Sequence, residues 1–174
     1  TLAMSSAASD VYKRQEVGLG GEFDATNVVQ NPVVSVITPI SFDHKEYLGD
    51  TIKKIAMAKA GIIKQNIPTV ISNQSAKVKK ILEEKCKANR SDIIWSSDLF
   101  TVSRSKKSII KKNGDKIVEF PFPALNGTHQ ISNAMTAIST LNHLKIPENH
   151  ICDGLKSTYW PARLQKIRKG DLFD

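Results

Sequence analysis

The sequence predicts an α/β fold in which a parallel sheet is followed by a small antiparallel β piece and C-terminal helices. Three observations carry that prediction. Short β-branched runs alternate with helix-period segments between residues 33 and 95. Polar and apolar residues alternate on both sides of Asn113-Gly114. A long apolar-periodic segment with several alanines runs from Ile131 to Leu144.

The elements follow in order. Val17 to Thr26 holds Gly18, Gly20 and Gly21 and reads as a glycine-rich loop whose backbone a Cβ would hinder. Val33 to Ile40 is almost wholly apolar and reads as a strand buried on both faces. Asp43 and His44 follow it, at the sheet edge where α/β folds bind ligands. Asp50-Thr51 can cap a helix in which Ile52, Ile55, Ala56 and Lys59 share a face and which Gly61 ends. Thr69 to Ser72 is a second strand. Ala76 to Lys87 is a lysine-rich amphipathic helix with Val78, Ile81 and Leu82 on its apolar side, and Ile93 to Trp95 is a third strand. This order implies parallel strands joined by right-handed crossovers. Phe100 to Phe122 reads as one hairpin turning at Asn113-Gly114. The helix Ile131–Leu144 and a shorter one at Ile151–Thr158 come next, and Trp160-Pro161 ends the helical region.

The ends read differently. Residues 1–15 show no periodicity and no signal-peptide pattern. Asp10 to Gln15 resembles a translated adapter used to prepare sequencing libraries, so this stretch is expected to be a disordered, non-native leader. Residues 16–160 form the domain, and residues 161–174 read as a linker and the start of a further domain.

Composition narrows the function. The chain has 174 residues, 40% hydrophobic and 24% charged, which suits a globular domain with a real core. Aromatics are 6%, so the core is aliphatic. No apolar run is long enough to span a bilayer. Two cysteines exclude a disulfide scaffold and suit the cytoplasm. A net charge of +8 suits a polyanion such as a nucleotide. The lysines at 77, 79, 80, 85 and 87, and at 106, 107, 111 and 112, lack interleaved aromatics, so a base-stacking surface is not expected. Trp160 reads as a packing anchor.

Four stretches together resemble the folylpolyglutamate synthase / dihydrofolate synthase family of the Mur ligase superfamily. They are Glu16 to Gly21 with Asp24-Ala25-Thr26-Asn27; Ile37-Thr38 with Asp43-His44; Leu48 to Thr51 running into Ile55-Ala56 and Lys59 to Ile62; and His129-Gln130 with Asn133-Ala134, followed by Trp160-Pro161 and Arg163-Leu164-Gln165. The resemblance covers nearly all of residues 16–168. It implies the central, P-loop-type, ATP-binding domain of an ADP-forming ligase. Such enzymes activate a carboxylate of dihydropteroate or folate as an acyl phosphate, which L-glutamate then attacks.

The resemblance also implies roles. Glu16 and His44 would bind Mg, an assignment that leans on the carboxylate because imidazole is not a preferred Mg²⁺ ligand. Asp43 would orient the loop. Lys59 would be a carbamylated lysine at the catalytic centre. Asn133 and Arg163 would contact ATP, the amide through its paired donor and acceptor and the guanidinium through two phosphate oxygens. On position alone, Glu16 is a solvated acid, Lys59 a helix-dipole partner, Asn133 a capping residue and Arg163 a linker charge. Two departures stand out: Ala162 replaces a usual glycine, and Glu22 replaces a frequent arginine. No G-x-x-x-x-G-K-[ST] match occurs, so the chain is expected to be an inactive middle slice of a longer, monomeric ligase with small-molecule substrates. The competing readings are a muramyl-type amino-acid ligase of the same superfamily and a basic nucleic-acid-binding module.

Overall fold

The structure is a computed structural model that describes residues 13–113 and 116–160. Two small sheets organise it. Strands β1 (Ser35–Ile37), β2 (Thr69–Ile71) and β3 (Ile93–Trp95) form a parallel sheet in that order. Ser35 stands opposite Thr69, and Thr69 opposite Ile93. Strands β4 (Phe100–Ser103), β5 (Ser108–Asn113) and β6 (Lys116–Pro121) form an antiparallel meander. The helices are α1 (Lys45–Leu48), α2 (Ile52–Ala60), α3 (Ala76–Ala88), α4 (Thr128–His143) and α5 (Glu148–Ser157). The α/β class and the division into parallel, antiparallel and helical stretches follow the expectation. None of the described helices is long and apolar enough to cross a membrane.

The first core lies between the parallel sheet and helices α2 and α3. Ile55 and Ala56 of α2 meet Ile71 of β2 and Val78, Leu82 and Cys86 of α3. Those three α3 residues recur at intervals of four, which places them on one helical stripe. Thr51 caps α2, its hydroxyl accepting from the Lys54 amide at 3.2 Å. Gly61 follows α2 with an ordinary right-handed backbone. Its glycine answers a steric need, because a Cβ there would stand 2.4 Å from Cα of Glu22. The second core sits between the meander and helices α4 and α5. Ile109 and Phe120 meet Ala134, Ile138, Ile151 and Leu155, and Phe100 meets Phe120 edge to face at 6.4 Å.

A polar seam joins the two. The Thr136 hydroxyl on α4 donates to the Ser132 carbonyl at 3.1 Å. It also lies 2.7 Å from the Ser72 hydroxyl and 3.1 Å from that of Ser96, the residues just beyond β2 and β3. With its one proton committed to Ser132, Thr136 accepts from both serines. All three are buried, so each depends on the others for hydrogen bonding.

Several expectations need correction. β1 is not buried on both faces: Val33 is 59% exposed and Val36 36%, while Ile37 is buried. β1 is an edge strand of the described sheet, and Val36 on its second face is partly exposed. Phe100 to Phe122 holds three strands, not one hairpin. An extra turn at residues 104–107 has Lys107 in the left-handed region at φ 48°. Asn133 does not open α4, which begins five residues earlier at Thr128. Trp160 is 53% exposed and anchors no core, because α5 has already ended at Ser157.

Candidate functional site

The glycine loop is built around one carboxylate. Asp24 accepts from the Gly18 amide at 3.1 Å, the Leu19 amide at 2.8 Å and the Thr26 amide at 2.9 Å, and from the Thr26 hydroxyl. The Thr26 hydroxyl first, then the Leu19 and Thr26 amides, lower its pKa to about 2. Asp24 also starts a short 3-10 turn at Ala25–Val28. The loop is thereby closed on itself, with a half-buried carboxylate holding donors that a glycine-rich backbone leaves free to converge.

This loop lies against α1 and α2. A Cβ on Gly20 would stand 2.8 Å from Cδ2 of Leu48, and one on Gly21 would stand 3.2 Å from the Lys59 carbonyl oxygen. The Glu22 amide donates to the Ala58 carbonyl at 2.9 Å. The Asn27 side-chain amide donates to the carbonyls of Glu22 at 2.9 Å and Gly61 at 3.3 Å. The Lys64 ammonium in turn donates to the Asn27 carbonyl at 3.0 Å. Sequence reasoning found the glycines but not the tasks of Asp24 and Asn27. The signal for Asp24 was an acid six residues after Gly18, while the Asn27 bond to Gly61 spans 34 positions and leaves no local trace.

The loop thus brings Gly20 to Glu22 against Leu48 of α1 and the Ala58–Lys59 end of α2, while Glu16 lies four residues before Gly20 and His44 four before Leu48. The side chains have separate partners. Glu16 is 76% exposed and pairs with Arg14 at 3.6 Å. His44 has a left-handed backbone at φ 50° and starts α1. Its Nε2 lies 3.4 Å from Asp43 Oδ2, and its amide donates to Asp43 Oδ1 at 2.9 Å. Asp43 thus holds the backbone of His44 and lies beside its ring. Lys59 is half-buried near the end of α2 and has no ion-pair partner among the described residues. A shallow groove of about 430 Å³ follows Phe42 to Tyr47 and includes His44.

Asn133 lies on α4, away from this loop in sequence and exposed. Its side chain donates to Gln130 Oε1 at 3.1 Å. Gln130 is buried, so this bond ties the exposed Asn133 amide to a packed neighbour. A second groove of about 490 Å³ lies by the start of α4, between Phe122, Asn126, Thr128 and Ile131. Arg163 and Ala162 fall outside the described residues, as do residues 1–12 of the proposed leader. No group of three or more His, Cys, Asp or Glu side chains able to hold a metal occurs among the described residues.

Comparison with known proteins supplies context for this geometry. Residues 15–141 match the family described as Mur ligase middle domain. The chain is 36% identical over 162 residues to the dihydrofolate synthetase of Saccharomyces cerevisiae, covering 87% of this chain and 37% of that protein. It is 35% identical over 164 residues to the folylpolyglutamate synthase of Lacticaseibacillus casei, covering 87% and 38%. The fold superposes on the apo form of L. casei folylpolyglutamate synthase with TM-score 0.75 at 32% identity, covering 89% of this chain and 40% of that one. A folylpolyglutamate synthase complex with AMPPCP and folate gives TM-score 0.75 at 33% identity, covering 88% and 40%. The chain thus spans about two-fifths of the relatives it matches.

Proposed function

The chain belongs to the Mur ligase middle-domain family, among the folylpolyglutamate and dihydrofolate synthases, and on that premise we propose that it serves an ADP-forming ligation of L-glutamate to dihydropteroate or to a folate γ-carboxylate. The observation that supports this reading is the seating of Gly20 to Glu22 against Leu48 of α1 and the Ala58–Lys59 end of α2, between the stretches that carry the family resemblance.

The side chains suit Mg²⁺ as a partial donor set. The Glu16 carboxylate is exposed and engaged only by an exposed arginine among the described residues. One such oxygen donor is what Mg²⁺ takes when phosphates and water complete its octahedron. Bound Mg²⁺ and ATP would supply the phosphoryl group and neutralise charge as the carboxylate is activated. The protein's own part is orientation. Glu16 offers a hard oxygen, Asp43 holds the His44 backbone, and Lys59 presents either an ammonium or, when carbamylated, a carboxylate-like group toward the reacting carboxyl. Asn133, tied to Gln130, offers donor and acceptor atoms to the adenine edge, and Arg163 would reach the phosphates.

The test is ADP release by the full-length gene product with dihydropteroate or a folate, plus glutamate. Glu16→Ala and His44→Ala should each lower turnover by roughly 10² or more, the effect of removing one preorganised electrostatic group. Wild-type rates in both would remove the metal assignment. Mass spectrometry of the native protein reads carbamylation at Lys59 directly.

A further inference from the structure

The glycine loop has two separate fastenings, one for its shape and one for its place. Asp24 sets the shape: all the donors it collects, from Gly18, Leu19 and Thr26, belong to the loop or the turn that follows it. That knot would survive intact if the whole loop slid along α2. Place depends on the bonds that cross to α2. One is the backbone bond from Glu22 to Ala58. The other runs through Asn27, whose Nδ2 donates at once to Glu22 and Gly61. Lys64 then holds the Asn27 carbonyl from the far side.

We propose that Asn27, backed by Lys64, is a positioning residue that sets the distance between the Glu16 loop and the Lys59 end of α2. The inference rests on the ligase reading above and adds a residue to it. The chemistry selects asparagine. Two N–H bonds meet two carbonyl oxygens, so a carboxylate at the same place would face both with like partial charge, and an aliphatic side chain would offer no donor. Gly61 is part of the same fitting, since only a residue without Cβ lets the Glu22 backbone come this close. Glu16 lies six residues before Glu22, and Lys59 two residues before Gly61. A shift at Asn27 therefore changes the separation of the two groups assigned to the reaction. A misplacement of about 1 Å at such a site costs on the order of 10²-fold in rate.

The test uses the full-length protein with Asn27→Asp, Asn27→Ser and Lys64→Met. Three quantities are read: Mn²⁺ affinity by electron paramagnetic resonance with AMPPCP present, the Mg²⁺ concentration giving half-maximal ADP release, and amide hydrogen exchange at Gly18 to Glu22. Asn27→Asp should weaken Mn²⁺ binding and raise the half-saturating Mg²⁺ about tenfold, as for loss of one strong hydrogen bond. Exchange at Gly18 to Glu22 should quicken, and excess Mg²⁺ should restore most of the turnover. Asn27→Ser, which keeps one donor, and Lys64→Met should each give about a threefold effect. Should Asn27→Asp fail to fold, the Asn27→Ser result decides. Unchanged Mn²⁺ affinity and Mg²⁺ dependence, with only a lower melting temperature, would show a structural residue and overturn the proposal. Glu16→Gln separates the two claims. If it leaves Mn²⁺ affinity unchanged, the metal reading itself fails. If it weakens Mn²⁺ binding while the Asn27 variants do not, only the positioning role fails.

Discussion

The parallel unit and the meander-helix unit bury their cores differently. In the first, aliphatic side chains of α2, β2 and α3 interlock, yet the flank around the glycine loop and β1 stays open. Phe23, Val28, Val33, Phe42, Tyr47 and Met57 are all exposed there. In the second, burial converges on one aromatic ring, Phe120, and few large apolar groups remain outside. The groups assigned to chemistry, Glu16, His44 and Lys59, belong to the open flank. The closed unit contributes α4, with Asn133 on it. The difference teaches that this fold divides labour: one unit keeps an open flank, where the proposal puts the reactive groups, and the other joins it through a buried seam.

The largest expected effect tests whether the closed unit is a brace at all. Phe120→Ala should destabilise the protein by about 3–5 kcal/mol, the usual cost of emptying a core ring. Hydrogen exchange should then report loss of protection in β4 to β6 and α4. If β1 to β3 keep full protection, the parallel unit stands alone and the brace is dispensable. Thr136→Val comes next. It leaves the Ser72 and Ser96 hydroxyls without their acceptor and should cost about 1–3 kcal/mol by denaturant melts. The triple change with Ser72→Ala and Ser96→Ala should recover much of that loss, because no orphaned polar group remains. Recovery sharpens the view of the seam as matched polarity; further loss would mean the serines bond elsewhere.

The open flank gives smaller effects. The Asp24 carboxyl has a folded pKa of about 2, below its ordinary value of 3.8. Its contribution is therefore complete above about pH 4 and is lost as the pH falls toward 2. After allowance for solvent screening this amounts to about 1 kcal/mol, read as the change in stability of wild type against Asp24→Asn between pH 5 and pH 2. A pH-independent difference would break the account of the knot. Burial pushes the Cys86 thiol up, so it should resist alkylation at pH 8 in the native protein and react once the first core is unfolded. Smallest of all, deletion of residues 1–15 should change stability by less than about 0.5 kcal/mol in thermal melts.

What could be read from the sequence divides along physical lines. β2, β3, α2 and α3 were legible because burial repeats with a local period, as Val78 and Leu82 show. The open face of β1 was not, since Val33 and Val36 look the same in sequence whether or not something covers them. The turn at residues 104–107 carries no glycine or proline, and Lys107 adopts a left-handed backbone that lysine rarely signals. α1 is only four residues long and gives no period. In the site, Glu16, His44 and Lys59 stood out only through family resemblance, since each alone reads as an ordinary surface charge. The Asn27 clamp and the Thr136 seam were invisible because their partners lie 34, 64 and 40 positions away.

The fit between Gly61 and Glu22 has a consequence for how this protein can vary. Every missense codon at position 61 adds a Cβ, and that atom would collide with the Glu22 main chain, which has no rotamer by which to yield. At position 22 the encounter involves the backbone and Cβ, atoms every non-glycine residue shares, so the chemistry of the side chain beyond Cβ is not what the fit restricts. A deep mutational scan should therefore show an asymmetric pair: near-complete intolerance at 61 beside broad tolerance at 22. Drift in this lineage is free to change the charge displayed at 22 while the glycine beneath it stays fixed.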